Sequence, residues 1–564
     1  MPIGLFHSVM ILADMRNKIA LIAIFLLSHW SCEHDLPLKG QDNANYICGK
    51  DCLSRYGKFK DKIIHLEVEP AGNLSQVFYN IDSNKLQQNP IVLNPSSIIS
   101  GRAVGLESDL SERYPDEHQD KGVTFFDLVA LPVVNENPLL APRTSMVKTR
   151  VARDGSFQIE LLKNVSYSLL MNASGQFDRA PIYVHRGLIK EDIALNFSLA
   201  KSNNTIKGKV VAEERDAINL LESSMQVRVM QGYRLISSVG LVKPDGQFSV
   251  EVAKAIVDNN LPITLLVEPN NLETALPKIT KKLDKDQLYS DVEMHEINLG
   301  SLKNAINLTV EVRGNDDSVV SLASLFLNAK IGAGEVMLKK QVNASGLAQF
   351  LKLFEGSYDI AVVPPFDSKF GMRVIKDIEL DFQENVDLLI DLQEREVLSA
   401  EIFGPHGKPV SGAQIEFSRI GEMGLFASED IYDDMLFKLT AGSNDRGQVC
   451  HRKFGFETSN NDQCSNLLLD EGRYLAHIIP PAGTELAHKW ITIDFPKERR
   501  LTIVLEQPEV LNGQILAPDQ KSAVKRAFVT VYLAELSLHN QPKVIGKAIT
   551  DEQGFFTAFV SAPR

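Results

Sequence analysis

One short phrase returns five times along this chain: a glycine after a polar or charged residue, heading a strand. It reads Asp154-Gly155-Ser156-Phe157, Asp245-Gly246-Gln247-Phe248, Ser345-Gly346-Leu347-Ala348 (with Phe350 nearby), Arg446-Gly447-Gln448-Val449 and Gln553-Gly554-Phe555-Phe556. The five glycines lie 91, 100, 101 and 107 residues apart. That is the period of a small β-sandwich, so the phrase predicts a tandem array. A length of 564 residues is too much for one core and enough for four or five such units.

Each unit opens with an alternating strand. Three carry a glycine: Ile99 to Val104 (Gly101), Ile206 to Val211 (Gly208) and Leu511 to Leu516 (Gly513). The third and fourth openings, Leu308 to Val312 and Leu398 to Ile402, alternate without one. Alternation places one face on a core and one in water. The phrase reads as a turn, because glycine takes positive φ cheaply and a preceding Asp can bond its own backbone. A Gly-x-Tyr element follows: Glu355-Gly356-Ser357-Tyr358 and Glu471-Gly472-Arg473-Tyr474, with Asn164-Val165-Ser166-Tyr167 as a degenerate copy. A further strand closes each unit.

This order of elements resembles the carboxypeptidase regulatory-like domain, a transthyretin-like β-sandwich, over roughly residues 98 to 564. The resemblance implies seven- or eight-stranded Greek-key-like sandwiches of a kind common as accessory modules in secreted and envelope proteins. The expected fold is all-β: four to five Ig/transthyretin-like β-sandwich domains in tandem. The expected divisions are a signal peptide over 1–31, a tether with a small Cys loop over 32–61 and a short β segment over 62–97. Sandwiches follow over 98–201, 202–303, 304–394 and 395–508, the last with an acidic insertion. An incomplete fifth occupies 509–564. A complete fifth copy would need roughly another 40 residues after Gly554, so it is either cut short or finished by a partner strand.

The amino terminus reads as an address. Met15-Arg-Asn-Lys18 is followed by a nine-residue apolar run, Ile19 to Leu27, and then Ser28-His29-Trp30-Ser31-Cys32. A basic segment, a short apolar core and small residues make a secretory signal, with Met15 an alternative start. The run is too short to span a bilayer, which takes ~20 residues. Cys32 stands where a bacterial lipoprotein signal places its lipid-bearing residue. Ser31 fits that pattern, Trp30 and His29 depart from it, and ordinary secretion is the other reading. An acyl anchor would hold the chain to a lipid bilayer without a transmembrane helix.

The remaining cysteines, Cys48 with Cys52 and Cys450 with Cys464, are spaced to close disulfides in an oxidising compartment. Free thiols are the alternative, and a zinc pair at Cys48-x3-Cys52 lacks a second ligand pair nearby. A net charge of −13 argues against nucleic acid as a partner. No HExxH, GxSxG, P-loop or Rossmann pattern is present, and the histidines stand singly, so the chain reads as a non-enzyme without cofactor.

Two acidic stretches, Glu112 to Asp120 and Ser428 to Asp434, are solvated loops or calcium-binding segments. Trp490, Tyr432 and Tyr114 are the candidate ligand-stacking residues, though Trp490 reads first as a core or interface residue. Three functions fit: a surface-anchored spacer and interaction scaffold of the bacterial envelope, touching an envelope protein or polysaccharide; a carbohydrate-binding array; or an accessory stalk of a larger secreted enzyme or assembly.

Overall fold

The computed structural model describes residues 56–561 apart from 87, 105–125, 134–145, 153, 174–179, 199–203, 214–224, 233, 254–261, 272, 289–293, 303–305, 366–367, 382–384, 421–437, 452–466 and 535–542. It is an all-β chain of tandem sandwiches.

The third sandwich shows the pattern. Its opening strand Ile306–Gly314 lies between the post-glycine strand Leu347–Leu353, antiparallel, and the closing strand Asn385–Leu392, parallel. Facing this three-stranded sheet is a four-stranded one in the order Gly334–Gln341, Ser324–Ile331, Gly356–Val363, Arg373–Leu380. The first sandwich repeats it around Ser96–Val104, the second around Thr205–Val211 and the fourth around Glu396–Phe403. In the fourth, the post-glycine strand is split. Gln448 bridges Glu401 on the opening strand, Val449–His451 turns onto the other sheet, and Leu467–Leu469 rejoins the opening strand.

The recurrent glycine has one physical reason. Gly155, Gly246, Gly346, Gly447 and Gly554 all have φ between +77° and +83°. A Cβ at any of them would press on a carbonyl oxygen of the opening strand: Ala103, Val210, Val312, Ile402 or Ile515. Each glycine carbonyl accepts a hydrogen bond at 2.8 Å from the N–H of that same residue. An Asx side chain fixes the turn from the other side, as Asp154 accepts from Ser156 N–H and Asp551 from Gln553 and Phe555 N–H.

The opening glycine is explained by the aromatic opposite. Gly101, Gly208 and Gly513 pair in register with Phe157, Phe248 and Phe556, whose rings lie where a Cβ would go. In the third sandwich Val310 faces Ala348 instead. The two departures of that repeat are therefore one exchange of bulk across the ladder. The Gly-x-Tyr tyrosines are buried, and Tyr358 and Tyr474 each donate to the carbonyl four residues upstream (Phe354, Asp470) at 2.8 Å.

The fifth unit corrects the expected divisions. Its opening strand Glu509–Leu516 pairs with Phe555–Val560, and Phe528–Leu533 pairs with Lys543–Ile549. The missing strands come from the amino-terminal side of the same chain. Ile63–Glu69 pairs antiparallel with Phe528–Leu533, taking the Gly-x-Tyr position. Gln76–Asp82 lies beyond it. Gly57–Lys58 and Ile91–Val92 both run parallel to the opening strand, in the closing position. One core draws Phe59, Ile64, Leu66, Val68, Leu86 and Leu93 from the arm, and Leu511, Ile515, Val529, Val531, Ile545 and Phe556 from the carboxyl-terminal half.

The short β segment of 62–97 thus supplies half of the fifth sandwich, 57–59 belong to that sandwich and not to a tether, and the strands that complete the fifth unit come from the same chain. The four continuous sandwiches lie between two halves of this closing sandwich. Short connectors at 93–95 and 505–508 complete a closed circuit. The first connector is pinned where Gln76 and Asn94 exchange side chain–backbone hydrogen bonds.

Leu66 and Val531 are register partners. Leu66→Ala is expected to cost about 2–5 kcal/mol. Adding Val531→Ala should cost less than the sum of the two singles, because they share one cavity. Denaturant titration of the four-member mutant cycle checks this, and strict additivity would contradict the ladder.

Candidate functional site

Two sets of buried titratable side chains lie where sandwiches meet. The seam between the fourth and closing sandwiches is built on Gly472–Ile479 and Lys489–Phe495, whose register sets His477 beside Trp490. The two rings stack at 3.9 Å with a 4° interplanar angle. His477 also lies against Glu416 on the neighbouring strand Gln414–Ile420, with Nδ1 3.8 Å from Oε2. Its Nε2 shares a 2.9 Å hydrogen bond with Nδ1 of His488. From the closing sandwich, the Val544 carbonyl accepts the Trp490 indole N–H at 2.8 Å, and the Tyr56 hydroxyl donates to Glu485.

Both imidazoles are buried. Burial lowers the pKa of His477 against the pull of Glu416, with Lys547 lowering it further. Burial, His477 and Lys547 together lower His488 to about 3. Two neutral rings sharing a hydrogen bond, closed over by tryptophan and a neighbouring sandwich, make a packed polar joint. His477 and His488 look isolated along the sequence, and the hairpin alone brings them together. The signal available was the hairpin: His477 on one strand, and His488 just ahead of the next.

A second joint links the third and fourth sandwiches. Arg395, in the connector after Asn385–Leu392, donates from Nε to Asp470 at 2.9 Å, with both side chains 4% exposed. Asp470 also accepts the Met372 N–H, and Arg395 donates to the Ser368 carbonyl. Neither Arg395 nor Asp470 stands out in the sequence, since lone charges beside a strand are usually solvated. The second and third sandwiches share one apolar cluster and an isolated bridge between Lys278 and Glu335.

The sequence-derived candidates fall as follows. Trp490 sits in the seam, partly buried, with one ring face against His477 and its N–H on Val544. Cys450 lies on Val449–His451, at the edge of the segment that splits the post-glycine strand. Cys32, Cys48, Cys52, Cys464, Tyr114 and Tyr432, and both acidic stretches, lie outside the described residues. Among the described residues no group of three or more His, Cys, Asp or Glu could hold a metal ion, and no helix is long and apolar enough to cross a membrane.

No family model matches this chain, and no curated protein matches it. Solved structures give distant likenesses. The Bacillus anthracis TIE protein is 11% identical, with 80% of this chain and 73% of that one covered, at a TM-score of 0.15. The Streptococcal ancillary pilin is also 11% identical, with 54% and 99% covered, at 0.23. Two B repeat units of the Staphylococcus aureus collagen-binding protein are 8% identical, with 73% and 100% covered, at 0.13. At such scores they carry no argument about what this chain does. The all-β assignment stands on its own strand pairings.

Two outcomes are expected at these joints. A histidine whose folded pKa lies below its unfolded value of about 6.5 favours the folded state fully above pH 6.5, and that stability falls as pH drops toward the folded pKa. For His488 the loss between pH 6.5 and pH 4 is on the order of 3 kcal/mol. In a chain beginning at Cys32, Trp490 is the one tryptophan, so its emission reports the seam. A red shift should develop between pH 6.5 and 4 and flatten in His488→Gln; an unchanged profile in that variant would refute the assignment. At the other joint, Arg395→Ala leaves a buried carboxylate unpaired and should cost about 3–5 kcal/mol. The same substitution at exposed Arg446 should cost under about 0.5 kcal/mol in the same chemical-denaturation assay.

Proposed function

We propose that this chain is a non-enzymatic interaction scaffold of the bacterial cell envelope, held to a membrane through a lipid on Cys32. What carries the reading is the use made of chemistry-bearing side chains. The buried polar groups His477, His488, Arg395 and Asp470 join one sandwich to the next. A rigid set of sandwiches with loops at their ends is a common platform for binding.

The closed circuit favours a scaffold over a spacer, because the two ends of the array return to one sandwich. The finer resemblance to carboxypeptidase regulatory-like modules fits the same role, that of an accessory module. The Cys450–Cys464 pair would then clamp the insertion that splits the fourth sandwich's strand. The partner is an envelope protein or polysaccharide, met by the loops.

The anchor is tested by fractionating cells that express Cys32→Ser. The variant should move from the membrane pellet to the soluble fraction and lose incorporation of a labelled fatty acid. Retention in the pellet with unchanged labelling would overturn the anchor.

A further inference from the structure

The closing sandwich consists of two unfinished halves at opposite ends of the array. The amino-terminal arm, 56–94, holds one antiparallel hairpin and two short strands. The carboxyl-terminal half, 509–561, holds two strand pairs. Neither half covers its own apolar side chains. Leu66 and Val68 of the arm and Val529 and Val531 of the other half are fully buried in the one core the two halves share. The edge that Phe528–Leu533 would offer without the arm is a row of unpaired backbone groups six residues long.

Each half is also fastened to its own neighbour. Leu74 of the arm packs against the first sandwich's core, and Gln76 holds Asn94 in the connector to it. On the other side, Val544 takes the Trp490 N–H from the fourth sandwich. One further contact crosses between the halves' neighbours, Tyr56 of the arm donating to Glu485 of the fourth sandwich, and it must break with the ladder. Once both open, the arm stays with the first sandwich and the carboxyl-terminal half with the fourth. The chain then presents complementary surfaces at its two ends.

We propose that a second copy of this chain is the partner these halves fit, by exchange of the arm. The arm of one copy completes the carboxyl-terminal half of the next with the same register, Ile64 against Leu533 through Glu69 against Phe528. The interface is identical to the one inside the closed chain, so exchange changes connectivity without requiring new complementarity. The contact is head-to-tail: first-sandwich end to fourth-sandwich end. Repetition gives chains or larger rings, according to whether the rotation closes. The balance between closed monomer and exchanged assembly follows the effective concentration of a copy's own arm against that of its neighbours' arms. This inference rests on the strand pairing, the shared core and the fastening of each half to its neighbour, and is independent of the envelope reading.

The test is complementation between full-length variants. Leu66→Asp spoils the arm and leaves the carboxyl-terminal half intact, and Val531→Asp does the reverse. Each alone should run as a monomer by light scattering, with the first four sandwiches retained by limited proteolysis. Mixed, they should form a one-to-one dimer through the single intact pairing. A mixture that stays monomeric overturns the proposal.

A second measurement avoids core disruption. Glu69→Cys with Phe528→Cys, in one chain, places two thiols across the ladder. Oxidation after a mild acid pulse should give a covalent interchain dimer whose fraction grows about tenfold over a tenfold rise in protein, from a dilute start. Intrachain crosslinks alone at every concentration would show that the arm never leaves its own chain and would overturn the proposal.

Discussion

The antiparallel ladder between Ile63–Glu69 and Phe528–Leu533 is the contact on which the rest of the architecture depends. Without it the first four sandwiches are a string with two loose ends. With it they become a circuit, and every connector angle must be compatible with residue 508 returning to the sandwich that residue 94 leaves. A constraint closing so long a loop carries an entropic cost that grows only with the logarithm of length. The shared core of the two halves, with Phe59, Leu66, Val531 and Phe556 all buried, sets an apolar driving force against it.

Closure also gives the joints their meaning. Polar groups buried between sandwiches contribute little net stability when paired and cost much when a partner is lost, so they fix geometry more than they add strength. Arg395 gripping Asp470 and Ser368, with Asp470 also holding the Met372 N–H, fixes one angle. His477, His488 and Trp490 hold another against the closing sandwich. A linear array tolerates a slack joint, whereas a closed one passes the error on to the ladder.

Much of this was legible in the sequence. The glycine phrase marks five turns correctly because a positive-φ residue pressed against an opening-strand carbonyl admits no side chain. The loss of both opening glycine and aromatic in the third repeat is one compensated exchange, Val310 against Ala348. What could not be read was permutation. Repeat detection follows chain order, and the strands completing the fifth unit precede the first by sequence. Ile63–Glu69 also lacks the Gly-x-Tyr mark that the third and fourth sandwiches carry at this position, so nothing local ties it to residue 531. The site was hidden for a related reason. His477 and His488 meet only because the hairpin folds back, with His488 just ahead of its second strand, and the charges of Arg395 and Asp470 become a pair only when two sandwiches dock.

The ring contact between Tyr56 and Phe559, with centroids 5.6 Å apart, places the two boundaries of the described chain side by side. Tension applied between those two points would load the closing sandwich alone. The other four would sit outside the line of force, like slack coiled beside a taut rope. Only when the ladder parts would they be drawn into it, still folded, lengthening the molecule before any of them unravels. A chain closed in this way carries a mechanical fuse at that ladder, with its reserve length stored as intact domains.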